Sequence, residues 1–244
     1  MSELALVIDR VSALALARAY PYAIPRKSFV YKDSGVSDFD TALCAGRTPV
    51  LAIGSNQSPQ RLAQKFGNDA SHVIPVQRAT LKNFDVVYSA HISTYGAVPA
   101  MLQISDGSEV ELAVTWLNDD QLDIMNHSEI RAANYAFALL EDIELSFEGG
   151  GKAFCAHGYV SSRGHLRHDG DAVALSAIDC CGRRYPAIST AKALEVIRER
   201  VAPSLDADTF VLRLVADDAY RHQITMLLAA DAVPFLHPFK LVGG

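Results

Sequence analysis

The stretch Pro49-Val50-Leu51-Ala52-Ile53-Gly54-Ser55-Asn56-Gln57-Ser58-Pro59-Gln60-Arg61-Leu62 holds the residues best suited to chemistry in this chain. An apolar run stops at a Gly-Ser-Asn turn, and a helix follows at once. Ser58 suits the N-cap and Pro59 the first helical position, where its missing N–H costs nothing. Leu62 and Phe66 then recur at helical spacing. A strand that ends on small residues and turns into a helix aims several unpaired backbone N–H groups at one point. That point suits a carboxylate, a phosphate or a developing oxyanion. Such turns also occur as plain connectors, so this one needs a partner before it implies a reaction.

The partner is Leu122-Asp123-Ile124-Met125-Asn126-His127-Ser128-Glu129, followed by Tyr135. Read alone, Glu129 is a solvated residue at a helix end. Taken together, the two segments resemble the γ-glutamylcyclotransferase-like superfamily. Its members carry a Tyr-Gly-Ser-Asn-type loop near the start of the domain and, further on, a glutamate after a Leu-Asp pair and before a tyrosine. Strand-like stretches at 79–88, 95–102 and 110–117 lie between the two motifs here, in the family's order. The resemblance covers residues 48–160. Two departures stand out. Ile53 occupies the place of the family's aromatic, and Ile130, Arg131, Ala132 and Ala133 replace glycines that often follow the glutamate.

The resemblance implies intramolecular acyl transfer. The α-amine of a γ-glutamyl amide attacks its own γ-carbonyl, giving 5-oxoproline and a released amine. The nucleophile belongs to the substrate, so neither a metal nor any other cofactor is required. The protein must fold the glutamyl chain for attack, where effective molarities reach about 10⁵–10⁸ M. It must stabilise the oxyanion, a single aimed donor being worth about 10²–10³ in rate, and it must move protons. Ile53, Gly54, Ser55, Asn56 and Gln57 form the implied substrate and oxyanion cradle, with Tyr135 as a further substrate contact. Glu129 is the implied general acid/base. A carboxyl near the usual value of about 4.3 is a feeble base for an ammonium, so partial burial among Met125, Ile130 and Tyr135 is expected to raise it. His127, Arg78 and Tyr95–Gly96 are further cavity candidates, while Trp116 reads as a core strand residue. Ser55 lacks the Gly-x-Ser-x-Gly elbow of a nucleophile.

These residues need a scaffold. The chain has 244 residues, half of them hydrophobic and a fifth charged, enough for a sizeable core. The expected fold is α+β, a small, mainly antiparallel barrel of γ-glutamylcyclotransferase-like type with flanking helices. Residues 1–48 read as an N-terminal helix and an extended, proline-stiffened connector, 49–160 as the family-like core, and 161–244 as a C-terminal elaboration. Asp119-Asp120 should open a short helix with Leu122 and Met125 on one face. Segments 135–140 and 143–147 read as strand, 148–152 as a glycine turn, and 153–160 as the returning strand. Residues 190–201 and 217–230 read as helices, packed on the barrel or forming a homo-oligomer contact.

A net charge of −6, a pI near 5.7 and scattered basic residues give no reason to expect nucleic acid. Segment 4–19 carries Glu3 and Asp9-Arg10, so it reads as an amphipathic helix and not as a signal peptide or membrane span. Cys44, Cys155, Cys180 and Cys181 fit a reducing compartment, and the expected location is cytoplasmic. The vicinal pair lacks Cys-x-x-Cys spacing. His165-x-x-His168-Asp169-x-Asp171 spells a metal-like set, but in a loop rich in turn formers that produces such spellings readily. Two alternatives stay open: a hydrolase or lyase acting on another small carboxylated amide, and a non-catalytic module binding a small anion.

Overall fold

Five of the chain's long apolar strands close on themselves. The computed structural model describes residues 3–33, 35–67, 71–130 and 133–242, with side chains from residue 9 onward. Its main strands are β1 (Phe29–Lys32), β2 (Gly35–Asp38), β3 (Thr48–Ala52), β4 (Ile74–Tyr88), β5 (Ala100–Leu117), β6 (Tyr135–Phe147) and β7 (Lys152–Ser161). The helices are α1 (Glu3–Arg18), α2 (Pro59–Phe66), α3 (Asp119–Ile130), α4 (Thr190–Val201), α5 (Ala207–Ala216) and α6 (Asp218–Ala229). β3 lies antiparallel to β5, β5 to β4, β4 to β6 and β6 to β7. β7 then returns to β3 in parallel, with Val50 opposite His157. The fold is therefore α+β, with a closed five-stranded barrel inside a larger mixed sheet. β1 and β2 extend β4, and Phe239–Leu241 adds to β6.

Several expectations are corrected. β5 is one strand where two were expected, and residues 95–99 are loop. The polar stretch 105–108 inside β5 is skipped by the ladder, which passes from Glu109 opposite Lys82 to Ile104 opposite Phe84; Asn83 on β4, at a left-handed φ of 63°, stands opposite it, and Gly107 has a φ of 79°. The Gly107 N–H donates to Asn83 Oδ1 at 3.0 Å, so a side chain replaces a ladder acceptor. β6 likewise runs through Asp142 (φ 56°) as an irregularity in register, not as two strands. The β6–β7 hairpin turns on Gly149, Gly150 and Gly151, all at positive φ, where a Cβ would be strained.

Ser58 occupies the N-cap of α2, but its side chain makes no capping bond, and its buried Oγ has no partner. Pro59 at the start and the Gly67 N–H bonded to the Ala63 carbonyl (2.9 Å) define this helix. α5 was not expected. Asp206 caps it by accepting from Thr209 N at 2.9 Å, and Phe210, Val211 and Leu214 form its buried face. Arg131 and Ala132 lie outside the described residues.

Two hydrophobic clusters result. One runs through the barrel and joins Ala17 of α1 to Leu194, Phe210 and Ile224 of the C-terminal helices. The other, with Leu62, Phe66, Met125 and Leu117, seats α2 and α3 on the barrel wall. α2 and α3 therefore lie side by side, which brings the turn before α2 to the end of α3 that carries Glu129. No helix among the described residues is long and apolar enough to cross a membrane.

Candidate active site

The Gly-Ser-Asn turn and Glu129 meet on the wall of a cavity of about 340 Å³. Asn56 Nδ2 donates to Glu129 Oε1 at 3.1 Å. Ile53, Gly54, Ser55, Asn56, Glu129 and Tyr135 all line this cavity. Gln57 does not. Its side chain is fully buried behind the turn, where Oε1 accepts from Arg78 Nη1 at 2.6 Å, so neither Gln57 nor Arg78 lines the cavity. His127 sits on the exposed face of α3 and lines a separate groove with Gln64 and Asp123. Ile130 is also exposed. Of the candidates Tyr95 and Gly96, Tyr95 lines the cavity and Gly96 does not.

The turn itself is a short 3-10 element, Ser55–Gln57. Gln57 N–H and Ser58 N–H close it onto the carbonyls of Gly54 and Ser55. The turn thus offers the cavity fewer uncommitted amides than its sequence suggests. Beside the turn, the Tyr20 phenolic oxygen accepts from Ala100 N at 2.9 Å. The Tyr135 hydroxyl donates to the Ala100 carbonyl at 2.8 Å, so two phenols hold the backbone at the start of β5.

Glu129 carries the main electrostatic correction. Burial pushes its carboxyl up, as expected, but the Lys65 ammonium, Asn56 and the Arg61 guanidinium outweigh that and hold it below the usual carboxylate range. Lys65 Nζ hydrogen-bonds and ion-pairs with Glu129 Oε1, and their side chains are 3% and 19% exposed. Burial pushes the Lys65 ammonium down, and its pairing with Glu129 opposes that only in part.

The cavity holds groups that the sequence did not point to. His91 is buried, and burial together with nearby Arg163 pushes its pKa down to about 3, so the imidazole is neutral. Its Nδ1 meets Ser89 Oγ at 2.9 Å, and Ser89 Oγ meets Ser161 Oγ at 2.7 Å. Three guanidiniums line the cavity, Arg61, Arg163 and Arg221, and Arg221 is paired with Asp218. Arg61 stands 5.2 Å from the Tyr95 ring centre and has a buried Nε without a partner. Arg163 Nε donates to Asn134 at 3.0 Å. Among the described residues, neither Arg61 nor Arg163 pairs with a carboxylate. The far wall belongs to α6, through Asp218, Arg221, His222 and Thr225. Thr225 Oγ1 accepts from Ile92 N at 3.2 Å and ties α6 to the loop before β5.

The metal-like spelling does not assemble. His165 is buried with Nδ1 at the Leu166 carbonyl, while His168 is exposed beside Asp169. Among the described residues, no three metal-ligating side chains cluster.

The site and scaffold together define a class: an α+β barrel protein whose cavity combines one buried carboxylate, Glu129, with two arginines, Arg61 and Arg163, that pair with no carboxylate among the described residues. No protein-family model and no curated protein sequence matches the chain. Solved structures that resemble it include a gamma-glutamyl cyclotransferase, 12% identical over 80% of this chain and 93% of that one, at a TM-score of 0.37. An Arabidopsis thaliana protein is 15% identical over 81% and 96%, at 0.38. An uncharacterized Homo sapiens protein is 13% identical over 89% and 95%, at 0.37. Likenesses this slight transfer neither a residue's role nor a substrate.

Proposed function

We propose that the protein cyclises a γ-glutamyl or similar carboxylated amide, releasing 5-oxoproline and an amine. The observation that carries this reading is the pairing of Glu129 with Asn56 on the cavity wall. Asn56 Nδ2 faces the carboxylate, while Asn56 Oδ1 is buried without a partner. A carboxylate beside an unsatisfied acceptor suits an ammonium donor, because a buried acceptor left unmet is costly. Arg61 and Arg163, unpaired with protein carboxylates, suit the substrate's own carboxylate.

Glu129 takes one proton from the substrate's α-ammonium. The freed amine lone pair attacks the γ-carbonyl carbon, and the C=O π pair moves to oxygen. Glu129 gives its proton to the leaving nitrogen, the C=O re-forms, and the C–N bond to that nitrogen breaks. The ring nitrogen returns its surplus proton through Glu129 to the departed amine. Two protons have then moved from one nitrogen to the other, and nothing is oxidised. The neutral His91 imidazole lines the same wall as a hydrogen-bonding group.

The test is mass spectrometry of wild type and Glu129→Gln incubated with γ-glutamyl amines, γ-glutamyl dipeptides and glutathione. The expected outcome is 5-oxoproline from wild type and a loss of about 10²–10⁴-fold in the variant, the usual worth of a positioned acid/base. No 5-oxoproline from any substrate overturns the reading. Release of the amine without cyclisation would point to a hydrolase, and binding without turnover to a small-anion module.

A further inference from the structure

Lys65 is unused by the reaction above, yet its side chain is nearly closed off from solvent, at 3% exposure. Its Nζ touches Met125 Sδ at 3.2 Å and Glu129 Oε1. An ammonium taken out of water needs a partner, and Glu129 is the carboxylate it has. Asn56 Nδ2 also donates to Oε1. Both protein donors therefore take the same oxygen, and among the described residues no protein donor meets Oε2.

We propose that Lys65 is a positioning residue for Glu129: with Asn56 it pins Oε1 against α2, keeps the carboxylate ionised, and leaves Oε2 as the atom presented to substrate. This rests on the acid/base reading of Glu129. Lys65 sits on α2, directly after the Gly54–Gln57 turn, so one short helix sets both the turn and the orientation of the carboxylate.

The consequence is a division of labour. The cation makes Glu129 a weaker base for the α-ammonium and its protonated form a stronger acid for the leaving nitrogen. When Glu129 takes up a proton, Lys65 is left as a buried ammonium without a counter-charge, which drives the proton onward.

The other groups facing Glu129 do not confuse its titration. Arg61 is also on α2. His91, on the loop before β5, is neutral above a pKa of about 3. The phenols of Tyr20, Tyr95, Tyr135 and Tyr159 are all pushed above their usual value by burial and stay protonated. His127, on α3 itself, lies on the exposed side away from the cavity.

The experiment is carbon-13 NMR of glutamate-carboxyl-labelled protein, with the Glu129 resonance assigned by its loss in Glu129→Gln. Wild type and Lys65→Arg should titrate below the ordinary carboxylate range. Lys65→Met should titrate higher by roughly 1–3 pH units, since burial is then opposed only by Asn56 and Arg61, and the acid limb of its kcat/KM profile should move by the same amount. A merely structural lysine would change stability and leave both midpoints in place. An unmoved midpoint in Lys65→Met overturns the proposal, as does a wild-type Glu129 that titrates at or above the ordinary range. Should Lys65→Met fail to fold, Lys65→Gln keeps a donor without the charge and carries the same expectation. The two readings separate cleanly. A shifted midpoint with no 5-oxoproline from wild type upholds the pair and sinks the reaction. Turnover with an unshifted midpoint does the reverse.

Discussion

At Gly54 a Cβ atom would lie 2.1 Å from the Tyr20 hydroxyl oxygen, 3.1 Å from its ring carbon Cζ and 3.3 Å from Ala100 Cβ. Space at this position favours glycine. The phenol that meets this turn comes from Tyr20, just after α1. Gly54→Ala should therefore destabilise by about 1–3 kcal/mol through overpacking. Tyr20→Phe should cost about 1–3 kcal/mol by orphaning the buried Ala100 N–H. The double variant should lose less than the sum, because removal of the hydroxyl relieves the 2.1 Å approach and leaves only the ring to yield. Urea unfolding of the four proteins measures that coupling, and strict additivity would show that the two residues do not meet.

At the scale of elements, the end of α3 is closed by Ala133, which holds a left-handed φ of 52° and donates its N–H to the Ile130 carbonyl at 2.8 Å. Left-handed backbone costs a residue with a Cβ about 1–2 kcal/mol, and glycine returns part of that gain as chain entropy. Ala133→Gly is thus expected to stabilise by about 0.5–1 kcal/mol, a rise of about 1–4 °C in Tm by calorimetry; a fall in Tm would refute the left-handed assignment. Elements with a self-contained signal were legible in the sequence. The periodicity of α4 and the three glycines between β6 and β7 are local facts. The continuity of β5 was not, because it depends on Asn83 supplying an acceptor from the neighbouring strand. The site divides the same way. The Gly-Ser-Asn turn and Glu129 were legible through order and spacing. Lys65 was not, although its place three residues after the buried Leu62 put it on the inward side of α2, a usable signal for a lysine that must find a carboxylate. His91 and Arg163 reach the cavity through barrel closure, which no window of sequence contains. The sign of the Glu129 shift failed for the same reason, since burial was inferred and the buried cation was not.

Across the whole molecule, the C-terminal residues are woven into the barrel. Asp85 on β4 is fully buried and held by Arg183 at two points, Nε to Oδ2 at 2.9 Å and Nη2 to Oδ1 at 3.1 Å. Arg183 Nη2 also donates to the Ile178 carbonyl at 2.6 Å. Leu175 and Ile178 share the hydrophobic cluster that fills the barrel, and α6 supplies one wall of the cavity. If these contacts bind the helices to the barrel as one cooperative unit, two probes must report one transition. Trp116 is the chain's single tryptophan and lies on β5, with its ring 5.9 Å from that of Phe147, so its fluorescence reads the barrel. Far-UV circular dichroism near 222 nm is weighted to the helices. In wild type the two urea curves should coincide. Arg183→Met leaves a buried carboxylate without its cation, which should cost about 3–5 kcal/mol. Asp85→Asn in that background should recover part of the loss, because the amide oxygen still accepts from Val86 N, a bond of 2.8 Å in the parent. Separate transitions in wild type would mean that the C-terminal helices fold as their own layer. In that case the α6 wall of the cavity would open well before the barrel melts, and activity would be lost on the circular dichroism curve while the fluorescence was still native.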